Sequence, residues 1–218
     1  MYLSRLLLNP RSRQVQREVS DPYQLHRTIM TAFPETLPEA ERVLYRLDAQ
    51  PRTGPMLLLV QSHTAPDWGG LAEKDYLLPP NPFSGLDNPA VKPVNLSLRT
   101  GQRLHFRLRA NPTKRLLHDD PERKLKKGQR IGLFEEEDQQ TWLTHKAKDG
   151  GFTVLGVTIT PEGFSGGQTK AKHKFNHFAV RFDGLLQVTD PAQFAQTLRC
   201  GLGRGKGFGF GLLSVAPG

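Results

Sequence analysis

Asp21-Pro22-Tyr23-Gln24-Leu25-His26-Arg27 opens a helix, and the elements on either side of it decide the fold. The Asp21 carboxylate can accept orphan amide hydrogens as N-cap, while Pro22 at the first helical position loses no hydrogen bond. At about 100° per residue, Leu25, Ile29, Ala32 and Phe33 share one face, with Tyr23, His26 and Met30 along its shoulder and Arg27 just beyond. Tyr23 and His26, three apart, project side by side where core meets solvent, so two proton-handling groups can converge on one substrate atom. A structural His beside a Tyr shows the same spacing, so these residues alone leave the role open.

Before this helix, residues 2–8 read as a buried strand, and the polar, Arg-rich segment 10–20 carries the chain across. The helix ends near Phe33-Pro34. Residues 42–48 alternate and 56–61 are apolar, which predicts a hairpin through 51–54 and the order β, α, β, β. A short helical piece follows Pro66-Asp67-Trp68, and the proline-rich stretch 77–93 reads as a long loop. In residues 103–111 the alternation is strict: Leu104, Phe106, Leu108 and Ala110 point one way, and Arg103, His105, Arg107 and Arg109 the other. Like charges along one strand face repel, so three arginines there predict a bound anion. Lys114, Arg115, Arg123, Lys124, Lys126 and Lys127 continue the charge into a polar connection, read equally well as a linker.

The second half repeats the first. Residues 129–134 read as a strand and 135–148 as a helix with acids at its start and bases at its end. A β-rich run covers 152–160, and 163–174 reads as a hairpin tip with Lys170, Lys172 and Lys174 on one side. Phe178, Val180 and Phe182 alternate up to Asp183-Gly184, taken as a turn dipeptide, with Leu186 and Val188 on the return strand. Asp190-Pro191 opens another helix that Gly201 stops, and 212–216 close the chain as a strand. The expectation is an α+β chain of two tandem β-α-β-β-α-β units, ferredoxin-like (RRM-like), over residues 1–118 and 119–218.

The chain has 218 residues and a net charge of +9, which favours a polyanionic partner. Nucleic acid is expected rather than a membrane surface, since no basic amphipathic helix is visible. One cysteine, Cys200, excludes an internal disulfide and fits a reducing compartment. The apolar run Leu6-Leu7-Leu8 is too short for a signal peptide or a spanning segment, so a soluble, cytoplasmic protein is expected. His173 and His177 have a ligand-like spacing, but no cysteine pair or converging carboxylates join them, and no metal or cofactor is expected.

Between the last helix and last strand lies Gly201-Leu202-Gly203-Arg204-Gly205-Lys206-Gly207-Phe208-Gly209-Phe210-Gly211. The Walker A and G-x-G-x-x-G spacings are absent, and the segment runs from helix to strand rather than the reverse. Alternating glycines free amides for oxyanions, so Gly203, Arg204, Gly205 and Lys206 are read as a cradle for a phosphate backbone.

The opening strand with Asn9-Pro10, the helix from Pro22 to Arg27, the run Arg107-Leu108-Arg109-Ala110-Asn111-Pro112 and the ending Gly209-Phe210-Gly211-Leu212-Leu213-Ser214-Val215 together resemble the CasE family. These are CRISPR-associated endoribonucleases that mature guide RNA for the Cascade complex. The resemblance implies a tandem ferredoxin-like protein that grips a CRISPR repeat hairpin, cuts at the stem base without a metal, keeps the mature guide RNA and joins other Cascade subunits. It implies 2′-hydroxyl attack on the scissile phosphate, leaving a 2′,3′-cyclic phosphate or 3′-phosphate. It places the catalytic Tyr and His on Tyr23 and His26, with Arg27 and nearby lysines available to stabilise the phosphoryl charge. The hairpin tip with Lys170, Lys172 and Lys174 becomes a reader of the stem. A competing reading is an RNA hairpin-binding module without catalysis: Lys206-Gly207-Phe208-Gly209-Phe210 matches five positions of an RRM motif, but Val-x-Phe/Tyr does not follow.

Overall fold

The computed structural model describes residues 1–48, 56–80, 87–119, 121–122, 124–168 and 174–218, with the side chains of Gln168 and Lys174 left aside. The expected turn at 51–54 lies outside these residues. Two four-stranded antiparallel sheets organise the chain. The first is built from β1 (Tyr2–Leu8), β2 (Leu44–Asp48), β3 (Met56–Ser62) and β4 (Ala90–Pro93), in the order β2-β3-β1-β4. The second is built from β5 (Arg103–Ala110), β8 (Phe152–Gln168), β9 (Lys174–Val188) and β10 (Leu213–Pro217), in the order β10-β5-β9-β8. In each sheet the first strand lies between the third and the fourth, the ferredoxin-like order.

Helices α1 (Arg13–Val19), α2 (Pro22–Met30) and α3 (Gly69–Ala72) accompany the first sheet. Its core joins Leu6, Leu8, Leu58 and Val60 of the strands to Val15, Leu25 and Ile29 of the helices. Helices α4 (Glu136–Asp149) and α5 (Pro191–Cys200) accompany the second, with Trp142, Leu143, Phe194 and Leu198 packed on Phe106, Leu108, Val180 and Phe182. Both Asp-Pro openings form as expected: Asp21 accepts from the amides of Tyr23 and Gln24, and Asp190 from that of Gln193. Each such cap contributes about 1 kcal/mol.

Several expectations need correction. The strand 103–110, placed by the 118/119 boundary in the first half, hydrogen-bonds to β9 and β10, so the change of sheet falls between Pro93 and Arg103. The first sheet takes its fourth strand from the stretch read as loop: Ala90 to Pro93 pair with β1 at the sheet edge, where proline is tolerated. Residues 13–19 of the segment read as polar connection form α1, which buries Val15. The basic connection after Asn111 is a small hairpin of β6 (Thr113–Arg115) and β7 (Arg130–Gly132) rather than a linker, and β7 is the strand expected at 129–134.

Asp183-Gly184 makes no turn, since β9 runs straight through it. Glycine is required there by close approach: a Cβ at Gly184 would sit 2.1 Å from the Gly156 carbonyl oxygen and 3.0 Å from the Phe106 ring, beside the bulge at Val154/Gly156. Among the described residues, no helix is long and apolar enough to cross a membrane.

The two halves meet through specific bonds. Buried Arg46 on β2 donates to Asp48, to the Ser214 hydroxyl at 2.7 Å and to the Arg107 carbonyl at 3.4 Å. Gln61 on β3 donates to the Leu198 carbonyl of α5 at 2.7 Å.

Candidate active site

Leu25 and Ile29 anchor α2 on the first sheet, which leaves Tyr23 and His26 half-buried on its shoulder and Arg27 exposed. What comes to meet them is the 3-10 turn Lys206–Phe208 of the Gly-rich segment, from the other half of the chain. A Cβ at Gly207 would lie 3.7 Å from His26 Nε2, so the loop backbone passes directly beside the imidazole. His26 Nδ1 is sealed from solvent without a hydrogen-bond partner, and burial lowers the pKa of the ring. Imidazolium would add a buried charge there, so the neutral ring is favoured.

Tyr45 completes this junction. It stacks on His26 with centroids 6.0 Å apart and planes 14° from parallel. Its hydroxyl donates to the Pro22 carbonyl at 2.9 Å and lies 3.3 Å from that of Gly207, spanning the first turn of α2 and the Gly-rich loop. Burial raises its pKa far above the ordinary phenol value, so it remains a donor.

On its other side the loop is pinned by aromatic rings from β9. Phe208 packs on Phe175 at 4.2 Å and on His177 at 5.3 Å, and His177 meets Phe210 edge-on. His177 Nδ1 is 2.9 Å from Asn111 Nδ2, its Nε2 is buried without a partner, and burial lowers its pKa. The full set of Tyr45, Asn111, Phe175, His177 and Phe208 is not visible in sequence as a site. Each looks like an ordinary strand or loop residue until the sheets bring them to α2.

The basic residues singled out in sequence separate into groups. Arg107 pairs with Asp183, and Arg109 pairs with Glu162 at 2.7 Å and lies over the Phe210 ring at 4.5 Å. The repulsion between Arg107 and Arg109 is therefore offset by carboxylates of β9 and β8, which local sequence does not reveal. Arg103 is exposed at the opposite end of β5, about 20 Å from Arg109 at 3.3 Å per residue. Gly203 and Arg204 line a cleft of about 680 Å³ with Lys114, Arg130, His145 and Lys146, and Arg115 lies opposite Arg130 in the β6–β7 hairpin. Lys114 is 3.7 Å from Asp138.

Gly205 and Gly209 bracket the 3-10 turn with left-handed backbones, φ 79° at each. Lys206 is half-buried, its pKa lowered by burial, and it does not line the cleft that holds Arg204. The cradle read from 203–206 is thus divided: Arg204 joins the basic cleft, while Gly207 faces His26. Lys170 and Lys172 lie outside the described residues, and Lys174 begins β9. Among the described residues no three His, Cys, Asp or Glu side chains gather in a group able to hold a metal ion.

Comparison with known proteins agrees with this architecture. A family model described as CRISPR associated protein matches residues 1–217. The chain is 40% identical over 230 residues to the CRISPR-associated endoribonuclease Cse3 of Thermus thermophilus, covering all of both proteins. It is 29% identical to the CRISPR system Cascade subunit CasE of Escherichia coli, again over the whole of both. A solved structure of CRISPR endoribonuclease Cse3 bound to a 19-nucleotide RNA superposes with a TM-score of 0.84 at 38% identity, covering 100% of each chain.

Proposed function

The chain belongs to the CRISPR-associated protein family, and from that membership we propose that it is the endoribonuclease that matures CRISPR RNA. It binds the hairpin of repeat RNA, cuts at the base of the stem, keeps the guide RNA it makes and serves as a subunit beside other Cascade proteins. Relatives named as an endoribonuclease and as a Cascade subunit, alike over their full lengths, support this reading. Its place of action is the cytoplasm, in keeping with a single cysteine. Its two units divide between Pro93 and Arg103, where the sheets do.

The observation that carries the catalytic assignment is His26: a neutral imidazole with its Nε2 against the Gly207 backbone, at the junction of the two halves. A neutral ring at working pH is the form that accepts a proton, so His26 serves as base for the attacking 2′-hydroxyl. The oxygen attacks the adjacent phosphorus as the bond to the 5′-oxygen breaks, the 5′-oxygen takes a proton from solvent water, and a 2′,3′-cyclic phosphate remains. Tyr23, a turn earlier on the same shoulder, donates its phenolic hydrogen to the reacting phosphate. Arg27 supplies charge against the phosphoryl oxygens. His26 takes the proton of the nucleophile, and the scheme requires no metal. The basic cleft around Lys114, Arg130 and Arg204 holds the phosphate backbone of the stem.

An end-labelled repeat hairpin incubated with the protein in excess EDTA tests the mechanism. Wild type is expected to cut once at the stem base, while His26→Ala binds the hairpin but leaves it whole. A substrate with hydrogen in place of the scissile 2′-hydroxyl also stays whole. Cleavage that stops with EDTA would overturn the metal-free scheme, and binding without cleavage by wild type would make the protein a hairpin-holding module.

A further inference from the structure

A second cleft adjoins the site and differs in chemistry from the basic one. It encloses about 420 Å³ between α2, β2, β5, β8 and the Gly-rich loop. Leu25 and Leu47 give it an apolar wall, and Phe208 an aromatic one. On its polar side Glu162 accepts from Arg109 at 2.7 Å and from Arg181 at 3.5 Å. Tyr45 is shared: it lines this cleft and stacks on His26, so the cleft lies one ring away from the reacting centre.

The charge pattern selects the occupant. A phosphate would enter against the Glu162 carboxylate, with both nearby guanidinium groups already paired to carboxylates. A flat, neutral group with donors and an acceptor along one edge fits instead, lying between apolar and aromatic walls. A carboxylate keeps free lone pairs after accepting from two arginines and can take two adjacent N–H groups. Among the four RNA bases, guanine presents such a pair, N1–H and the 2-amino group, beside an O6 acceptor that suits Arg181.

We propose that this cleft is a base pocket, in which an unpaired guanine next to the scissile phosphate is held by Glu162 and Arg181 and stacked against Phe208. The pocket rests on the RNA-cleaving assignment of the neighbouring site and adds to it a determinant of sequence at the cut. Holding the base fixes the sugar and the phosphate attached to it, which orients the 2′-hydroxyl toward phosphorus.

The test uses the full chain and a hairpin made uncleavable by a 2′-deoxy sugar at the cut, with guanine, inosine or an abasic sugar placed in turn at each unpaired position flanking it. At one position the abasic RNA is expected to bind about tenfold or more weakly, and inosine, which lacks the 2-amino donor, about fivefold more weakly. Glu162→Gln should erase the difference between guanine and inosine. Ser165→Phe, which fills the cleft without touching its charges, should bring guanine RNA down to the abasic level. Melting curves for both variants confirm that they are folded. Equal binding of all three RNAs at every position overturns the pocket, as does an undiminished guanine preference in folded Glu162→Gln. If the uncleavable hairpin is bound, and its all-ribose counterpart cut, without regard to base, the pocket alone fails; if wild type neither binds the one nor cuts the other, the RNA assignment fails and the pocket with it.

Discussion

Replacing Tyr45 by Phe removes one oxygen atom from the site and leaves the ring that stacks on His26. The lost hydroxyl sits 2.9 Å from the Pro22 carbonyl and 3.3 Å from the Gly207 carbonyl, so its one hydrogen is shared between the first turn of α2 and the Gly-rich loop. A neutral hydrogen bond of this kind contributes about 1 kcal/mol, and the Phe variant should melt about 2–4 °C below wild type. The larger consequence is for the reaction. Gly207 is held beside His26 by that tie, so the same free energy withdrawn from the reactive arrangement slows single-turnover cleavage about fivefold. Hairpin affinity should stay within about twofold, because the basic cleft does not include Tyr45. Rates are measured with enzyme in excess over end-labelled hairpin, and affinities with the uncleavable RNA. A variant that melts lower but cuts at the wild-type rate would refute the positioning role and reduce Tyr45 to a packing residue.

Burial lowers the pKa of both His26 and His177, so the folded protein binds fewer protons than the unfolded chain near pH 6.5. Stability from these two groups is complete above about pH 6.5 and is lost as pH falls through their lower folded values, which urea titrations from pH 7.5 to 5 will show. Cleavage should follow the same direction, with the acid limb of the single-turnover profile below about 6.5; a limb above that value would contradict a neutral His26 acting as base. Gly184→Ala places a methyl 2.1 Å from the Gly156 oxygen and should cost about 1–3 kcal/mol in urea unfolding, through separation of β8 from β9. An unchanged midpoint would mean that the bulge yields freely.

The features legible in sequence are those in which neighbours along the chain decide the outcome. Asp21 and Asp190 cap helices because the caps are local, and β5 shows its alternation because one face is core. Features fixed by distant partners were hidden. Glycine at 184 answers to Gly156 and Phe106, and in isolation Asp183-Gly184 looks like a turn. The strand Ala90–Pro93 exists because β1 offers it an edge, and prolines around it argue for a loop. Three arginines on β5 suggested an unmet anion, but Asp183 and Glu162 come from strands more than fifty residues on. For the candidate site, helical spacing set Tyr23 and His26 on one shoulder with Arg27 just beyond, and the family resemblance supplied the role proposed for them. Tyr45 and His177 could not be found that way, since only the packing of two sheets places them beside α2 and the loop.

The imidazole belongs to one sheet and the backbone beside it to the other, joined by Arg46, Gln61 and Tyr45. On the mechanism proposed above, competence to react is a property of the seam and not of either body. A substitution that let the seam gape while both cores stayed intact would pass every assay of folding and still silence the enzyme.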